Sequence, residues 1–288
     1  MTRARPVLAA LILVASPAAA EDGDEGSAGS ELRAGLGFMT GELFFKGAQF
    51  PELGEDDVAI RTALTLVPQL RAGLTYLIDR SFGVDLSASV GYASISLPSA
   101  RDEKGNVPSL RLYPWSFRGH MIYRWHTSGS PRALLVQGEL GSSLMGYAVQ
   151  ENEVAQPVAK GEVASSGATG QSILLSTTVA GPSAGLSLVA PLGNRLRARI
   201  GAQAHLPLYV RESPESSGRP GGGLGWSALL GLDVRISGAF GLGLGLRHTA
   251  LGVDFKEKGD RGATGRGVSD GRSEDSYTRV GLDLIYGL

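Results

Sequence analysis

Gly181-Pro182-Ser183-Ala184-Gly185 matches the G-x-S-x-G pattern of a nucleophile elbow, and Asp233 and His248 come after it in the chain order of a hydrolase triad. That chemistry needs a serine on a sharp turn from a strand into a helix, with its hydroxyl open to a base. The next residues, Leu186 to Asn194 (LSLVAPLGN), read instead as more strand ending in a turn. Gly181, Ser183, Gly185 and Ser187 are then a stripe of small residues on one strand face. Gly241, Gly243 and Gly245 form G-x-G-x-G, which lacks the spacing and the adjoining helix that a pyrophosphate site requires. Interleaved with Phe240, Leu242, Leu244 and Leu246, they make a strand whose glycine face leaves room for bulky neighbours. His120, His126, His205 and His248 show no ligand spacing such as H-E-x-x-H, so neither a metal nor a cofactor is expected. His120 and His205 read as hydrogen-bonded interior residues. Residues 259 to 267 (GDRGATGRG) contain three collagen-like triplets, too few for a triple helix, and read as a mobile charged surface loop. These motifs point away from an enzyme.

Charge at alternate positions is the more informative pattern. Arg33, Arg71, Arg118, Arg124, Arg197, Arg199, Arg235, Arg247 and Arg279 fall on the less apolar face of the segments that carry them. Asp85, Glu139, Asp233 and Asp283 share that face, so nine guanidinium groups meet four carboxylates, a formal surplus of five. If the face is enclosed, these charges must be paired or hydrated. Two uses are open: arginine–carboxylate pairs bracing a narrow lumen, or unpaired guanidinium groups lining a water-filled path that favours anions.

The elements that must position these residues are strands. From Leu196 to Val210 the even positions are apolar throughout and the odd ones are Arg, Arg, Gly, Gln, His, Pro and Tyr. From Leu224 to Ile236 the even positions read Leu, Trp, Ala, Leu, Leu, Val and Ile. Period two is the signature of a strand with one apolar face, and a helix would scatter these residues around its circumference. The same alternation predicts ten strands, near 31–40, 66–78, 83–97, 109–125, 132–149, 172–189, 195–211, 223–236, 240–255 and 276–288. Short connectors (79–82, 126–131, 190–194 and 237–239) alternate with longer polar ones (41–65, 98–108, 150–171, 212–222 and 256–275). Short turns alternating with long loops characterise an up-and-down barrel crossing an outer membrane. Residues 41 to 50 and 58 to 66 could extend the first hairpin above the membrane or add two strands, so eight and twelve strands remain alternatives to ten. Closure is required because an open edge would leave amide groups unpaired in hydrocarbon.

Composition agrees. Glycine is 42 of 288 residues, roughly twice the usual share. Cysteine is absent, which excludes disulfides and cysteine-based metal sites, and a net charge of −1 gives no basic excess for nucleic acid. Lysine is scarce within the strands, so their polar face reads as enclosed. Thr2-Arg3-Ala4-Arg5, an apolar run from Pro6 to Pro17, and Ala18-Ala19-Ala20 together read as a signal peptide over 1–20, cleaved between Ala20 and Glu21. Residues 21–30 read as a flexible acidic lead-in and 31–288 as one barrel domain. On 109–125, Tyr113, Trp115 and Phe117 share a parity with Tyr123 and Trp125, as two interfacial aromatic girdles would.

Over residues 31 to 288, with the signal peptide, the chain resembles the bacterial outer-membrane β-barrel proteins, broadly the porin-like or small-barrel type. The most specific part is the end, Arg279-Val280-Gly281-Leu282-Asp283-Leu284-Ile285-Tyr286, which is similar to the terminal assembly signal of that class. The resemblance implies recognition by the barrel-assembly machinery through Arg279, Gly281, Leu284 and Tyr286, with outer-membrane lipid around the barrel. The chain departs from that pattern by ending Gly287-Leu288 rather than in an aromatic residue. The expected function is structural or surface interaction through long outer loops. The alternatives are passage of small, preferentially anionic solutes and, more remotely, a lipid- or peptide-directed hydrolase.

Overall fold

A computed structural model describes residues 29–48, 58–96, 109–128, 133–151, 175–213, 217–256, 259 and 269–287. The expected cleavage point at Ala20 and Glu21, residues 21–28 of the acidic lead-in, and most of the GDRGATGRG segment lie outside them. Alternation builds twelve β segments: β1 Glu31–Ala48, β2 Val58–Leu77, β3 Phe82–Gly91, β4 Ala93–Ser96, β5 Ser109–His126 and β6 Leu135–Glu151, then β7 Ser176–Pro191, β8 Leu196–His205, β9 Tyr209–Ser213, β10 Arg219–Arg235, β11 Phe240–Lys256 and β12 Ser269–Gly287. Two pairs of segments are single strands with an interruption. β3 and β4 both pair with β5 on either side of Tyr92, whose N–H still reaches the Pro68 carbonyl of β2. β8 and β9 both pair with β7 around Pro207, and the Leu206 and Leu208 N–H groups continue the ladder to Pro182 and Ala180. Ten antiparallel strands therefore close on themselves, with β1 paired to both β2 and β12. This is an up-and-down transmembrane β-barrel, and its crossing elements are strands.

The strands are longer than alternation alone set them. β1 runs on to Ala48, β2 starts at Val58 and β12 starts at Ser269, so the first and last long connectors are shorter than expected. The first hairpin is extended, as one of the two alternatives held, and no extra pair is added. A register shift between Met39 and Gly41 marks the extension, with Leu66 of β2 bulged outward at a φ of 49° that a leucine rarely adopts. β2 and β12 are 20 and 19 residues long, yet a band about 25 Å tall needs only about ten tilted residues per strand. Nearly half of each long strand stands beyond the band.

That division is written in the side chains. Near the short turns, the outward face carries Leu32, Leu36, Phe38, Leu70, Leu186, Ile200, Leu230, Leu244 and Leu282, with Leu36 66% and Leu282 55% exposed. Toward the long loops the same face becomes Lys46 on β1, Asp254 and Lys256 on β11, and Arg272 and Glu274 on β12. The inward face inverts with it: Leu43, Phe45, Leu64, Leu251, Val253 and Phe255 are buried there. The apolar face therefore meets lipid only over the turn-side part of each long strand. Beyond the hydrocarbon the outer surface meets water, so the apolar residues turn inward and pack on one another. Tyr123–Trp125 and Phe240–Tyr286 stack on the outer surface at the turn end, while Tyr92–Tyr113 and Trp226 lie higher.

Candidate functional site

Among the described residues, the lumen is where chemistry-bearing side chains from many strands converge. All thirteen charged residues placed inward by alternation lie on the lumen face, since period two fixes a face once register is fixed. At the turn end, Arg33 of β1 donates through both Nη atoms to Asp233 of β10, at 3.0 and 2.7 Å. The same Arg33 reaches Glu31 at 2.8 Å, and Arg197 of β8 bonds Glu31 and lies 3.8 Å from Asp233. Two guanidinium groups and two carboxylates thus tie three strands together across the barrel. Sequence reasoning missed Glu31, although its parity is that of Arg33; it occupies the first position of β1, where a strand's start is hardest to place. Including it reduces the formal surplus from five to four.

Deeper in, Arg71 of β2 pairs with Asp283 of β12 at 3.3 Å. Its guanidinium lies where a side chain at Gly281 would be, since a Cβ built there would sit 1.5 Å from Arg71 Nη1. Gly243 makes the same room for Arg33, its added Cβ meeting Arg33 Nη1 at 3.3 Å and Asp233 Oδ1 at 2.8 Å. The glycine face of G-x-G-x-G is therefore a floor for arginines. Arg124 donates to Gln137 at 3.0 Å, and Gln137 donates to Glu139 at 3.1 Å. Glu139 also accepts from Gln203, whose own carbonyl accepts from Arg247 at 2.8 Å. Asp85 accepts from Thr75 at 2.6 Å, and Arg279 donates to Ser116 at 2.9 Å while its guanidinium lies over the Tyr277 ring. Arg199 lines one cavity with Arg71, Asp85, Arg247, Arg279 and Asp283, and Arg235 sits at the mouth on the turn side.

At the level of Arg118, which lies opposite Ser143, runs a layer of hydrogen-bonded histidine and hydroxyl side chains. His120 Nε2 is 2.7 Å from the Ser183 hydroxyl, and both are buried. His205 joins Ser143 at 3.2 Å and Ser227 at 2.8 Å, and Ser227 continues to Thr249 at 2.9 Å. The triad order of Ser183, Asp233 and His248 does not assemble: Asp233 is held by Arg33, while His248 bonds Thr278 and stacks beside Trp226. Among the described residues, no group of three His, Asp or Glu side chains is arranged to hold a metal. The apolar cluster of Met39, Leu43, Leu64, Val67, Leu112, Met145, Val179 and Tyr277 then fills the lumen toward the loops, and Tyr277 donates its hydroxyl to Met145 sulfur across the barrel. Gly281, Leu284 and Tyr286 of the terminal motif lie on β12, with Leu284 and Tyr286 facing outward.

No protein-family model matches the sequence, and no curated protein is detectably similar to it. Solved structures match the fold. The outer-membrane protease OmpT of Escherichia coli superposes with a TM-score of 0.51 at 8% identity, covering 91% of this chain and 97% of that one. OprG of Pseudomonas aeruginosa gives 0.40 at 13% identity, over 92% and 100% of the two chains. Ail, the attachment invasion locus protein of Yersinia pestis, gives 0.31 at 7% identity, over 89% and 99%. The likeness to OmpT is one of fold, a closed antiparallel β-barrel.

Proposed function

We propose that this chain is an integral outer-membrane protein whose barrel is a closed scaffold, raising a rigid β cylinder and its loops above the lipid for interaction at the cell surface. The observation that carries this reading is the inversion of side-chain polarity along the strands. An open channel needs a wet path from end to end, whereas here buried Met39, Leu112, Leu251 and Val253 pack across the loop half of the lumen. The ion pairs among Arg33, Asp233, Glu31 and Arg197 brace the other half. A barrel of about eight strands is filled by side chains and an aqueous channel comes with about sixteen, so ten strands belong with the filled class. A Ser183 hydrolase is disfavoured beside this reading, because Ser183 is enclosed with His120 beneath the apolar layer and Asp233 and His248 are engaged elsewhere.

Planar-bilayer recording on the refolded protein tests the scaffold reading. The expected outcome is no steady conductance; persistent chloride-selective steps would reject it in favour of a narrow anion pore, the second reading that the guanidinium surplus supports. Deleting residues 257 to 268 should leave the barrel folded and weaken its surface binding. Unchanged binding would exclude that loop as the contact.

A further inference from the structure

Between the ion pairs and the apolar layer the barrel encloses a cavity of about 140 Å³. Six guanidinium groups and three carboxylates line it. Each carboxylate is already engaged: Asp233 with Arg33, Asp283 with Arg71, and Asp85 with Thr75. Arg118 is only 5% exposed, and its Nε and Nη2 have no hydrogen-bond partner; Arg279, 8% exposed, has an Nε in the same condition. A guanidinium keeps its proton, and an enclosed cation without a partner costs several kcal/mol. These donors call for acceptors that the protein does not supply, and with six guanidinium groups facing three already engaged carboxylates an anion matches the charge of the cavity. We propose that this cavity is a binding site for a small tetrahedral oxyanion of the phosphate or sulfate type, held by Arg118, Arg247 and Arg279.

A tetrahedral oxyanion suits the site because several acceptor oxygens can serve several planar donor forks at once. The volume admits such an ion with a few waters. Entry is from the turn side, past the Arg33 and Arg71 side chains at the cavity edge, which keep 21% and 28% of their surface exposed; the ion pairs there let single ions through slowly enough to bind but too slowly to carry a steady current. The apolar layer blocks the loop side. The site is distinct from the surface role and does not depend on it.

Equilibrium dialysis of the folded full barrel against radiolabelled inorganic phosphate, at constant ionic strength set with sodium gluconate, tests the site. Saturable uptake near one ion per barrel is expected, with at least a tenfold loss of affinity in Arg118→Gln and none in Arg111→Gln, an exposed control outside the lumen. Folding of each variant is checked by its heat-modifiable gel mobility. Should Arg118→Gln not fold, Arg279→Lys keeps the charge but loses the fork and should still weaken uptake. Two results would overturn the proposal: no saturable uptake by the unmodified protein, or equal uptake by every folded variant, meaning an adventitious ion only. Chloride taken up in place of phosphate would likewise reject an oxyanion site.

Discussion

Arg33 and Asp233 show what a single lumen residue contributes. Their side chains are 21% and 14% exposed, and removing Asp233 leaves two enclosed guanidinium groups, Arg33 and Arg197, to share the single Glu31 carboxylate. Asp233→Ala should therefore destabilise the folded barrel by about 3 kcal/mol, read from the urea midpoint of its heat-modifiable form, while Arg33→Met with Asp233→Leu should recover most of that loss. Gly281 is a second case. Resemblance gives it a part in assembly, but its missing side chain is also the space that Arg71 occupies. Gly281→Ala must displace the Arg71 guanidinium and break its contact with Asp283, costing about 1–3 kcal/mol in the same assay. If Gly281→Ala alters assembly rate alone, leaving equilibrium stability untouched, the space-filling account fails. At this scale the sequence located residues by face. It could not pair Arg33 with Asp233, 200 positions away, because only ring closure through the β1–β12 pairing brings β1 within three strands of β10 around one lumen.

Among the elements, β12 carries both environments on a single face. Leu282 and Ser276 are both outward-facing, six residues apart, with lipid expected around the first and water around the second. Leu282→Arg should cost about 2–4 kcal/mol, as a cation near the bilayer midplane does, and Ser276→Arg should be close to neutral. Equal costs in bilayer refolding would show that no such boundary divides the strand. Inside the distal cylinder, Phe255→Ala should cost about 3–4 kcal/mol, since Phe255 is buried and packs edge-on against Phe45 at 6.5 Å. Proteolytic nicking should then appear near the loops while the membrane half stays protected. The inversion behind both predictions was legible: Leu251, Val253 and Phe255 alternate with Asp254 and Lys256 in the opposite sense to Leu242, Leu244 and Leu246. Period two assigns faces without saying what covers them, so the boundary between lipid and water along the strand is not marked by alternation alone.

For the whole molecule, two barriers in series close the lumen, one apolar and one ionic. Met39→Ser with Leu251→Ser should leave the barrel nearly non-conducting while the ion pairs hold. Adding Asp233→Asn should produce steady conductance greater than either change gives alone. Conductance from the apolar double variant alone would show that the charged half is not a barrier. That the chain forms long antiparallel strands in sequential order, each with two unlike faces, was determined by the sequence itself, because alternation and connector length are local properties of the chain; ten strands rather than eight or twelve was settled by the closed ring. Which charges meet, where the water-facing cylinder begins, and that a cavity with under-partnered arginines lies between the two barriers were decided by tertiary structure alone. The physical reason is closure: bending ten strands into a ring sets the distances between residues that no local pattern relates.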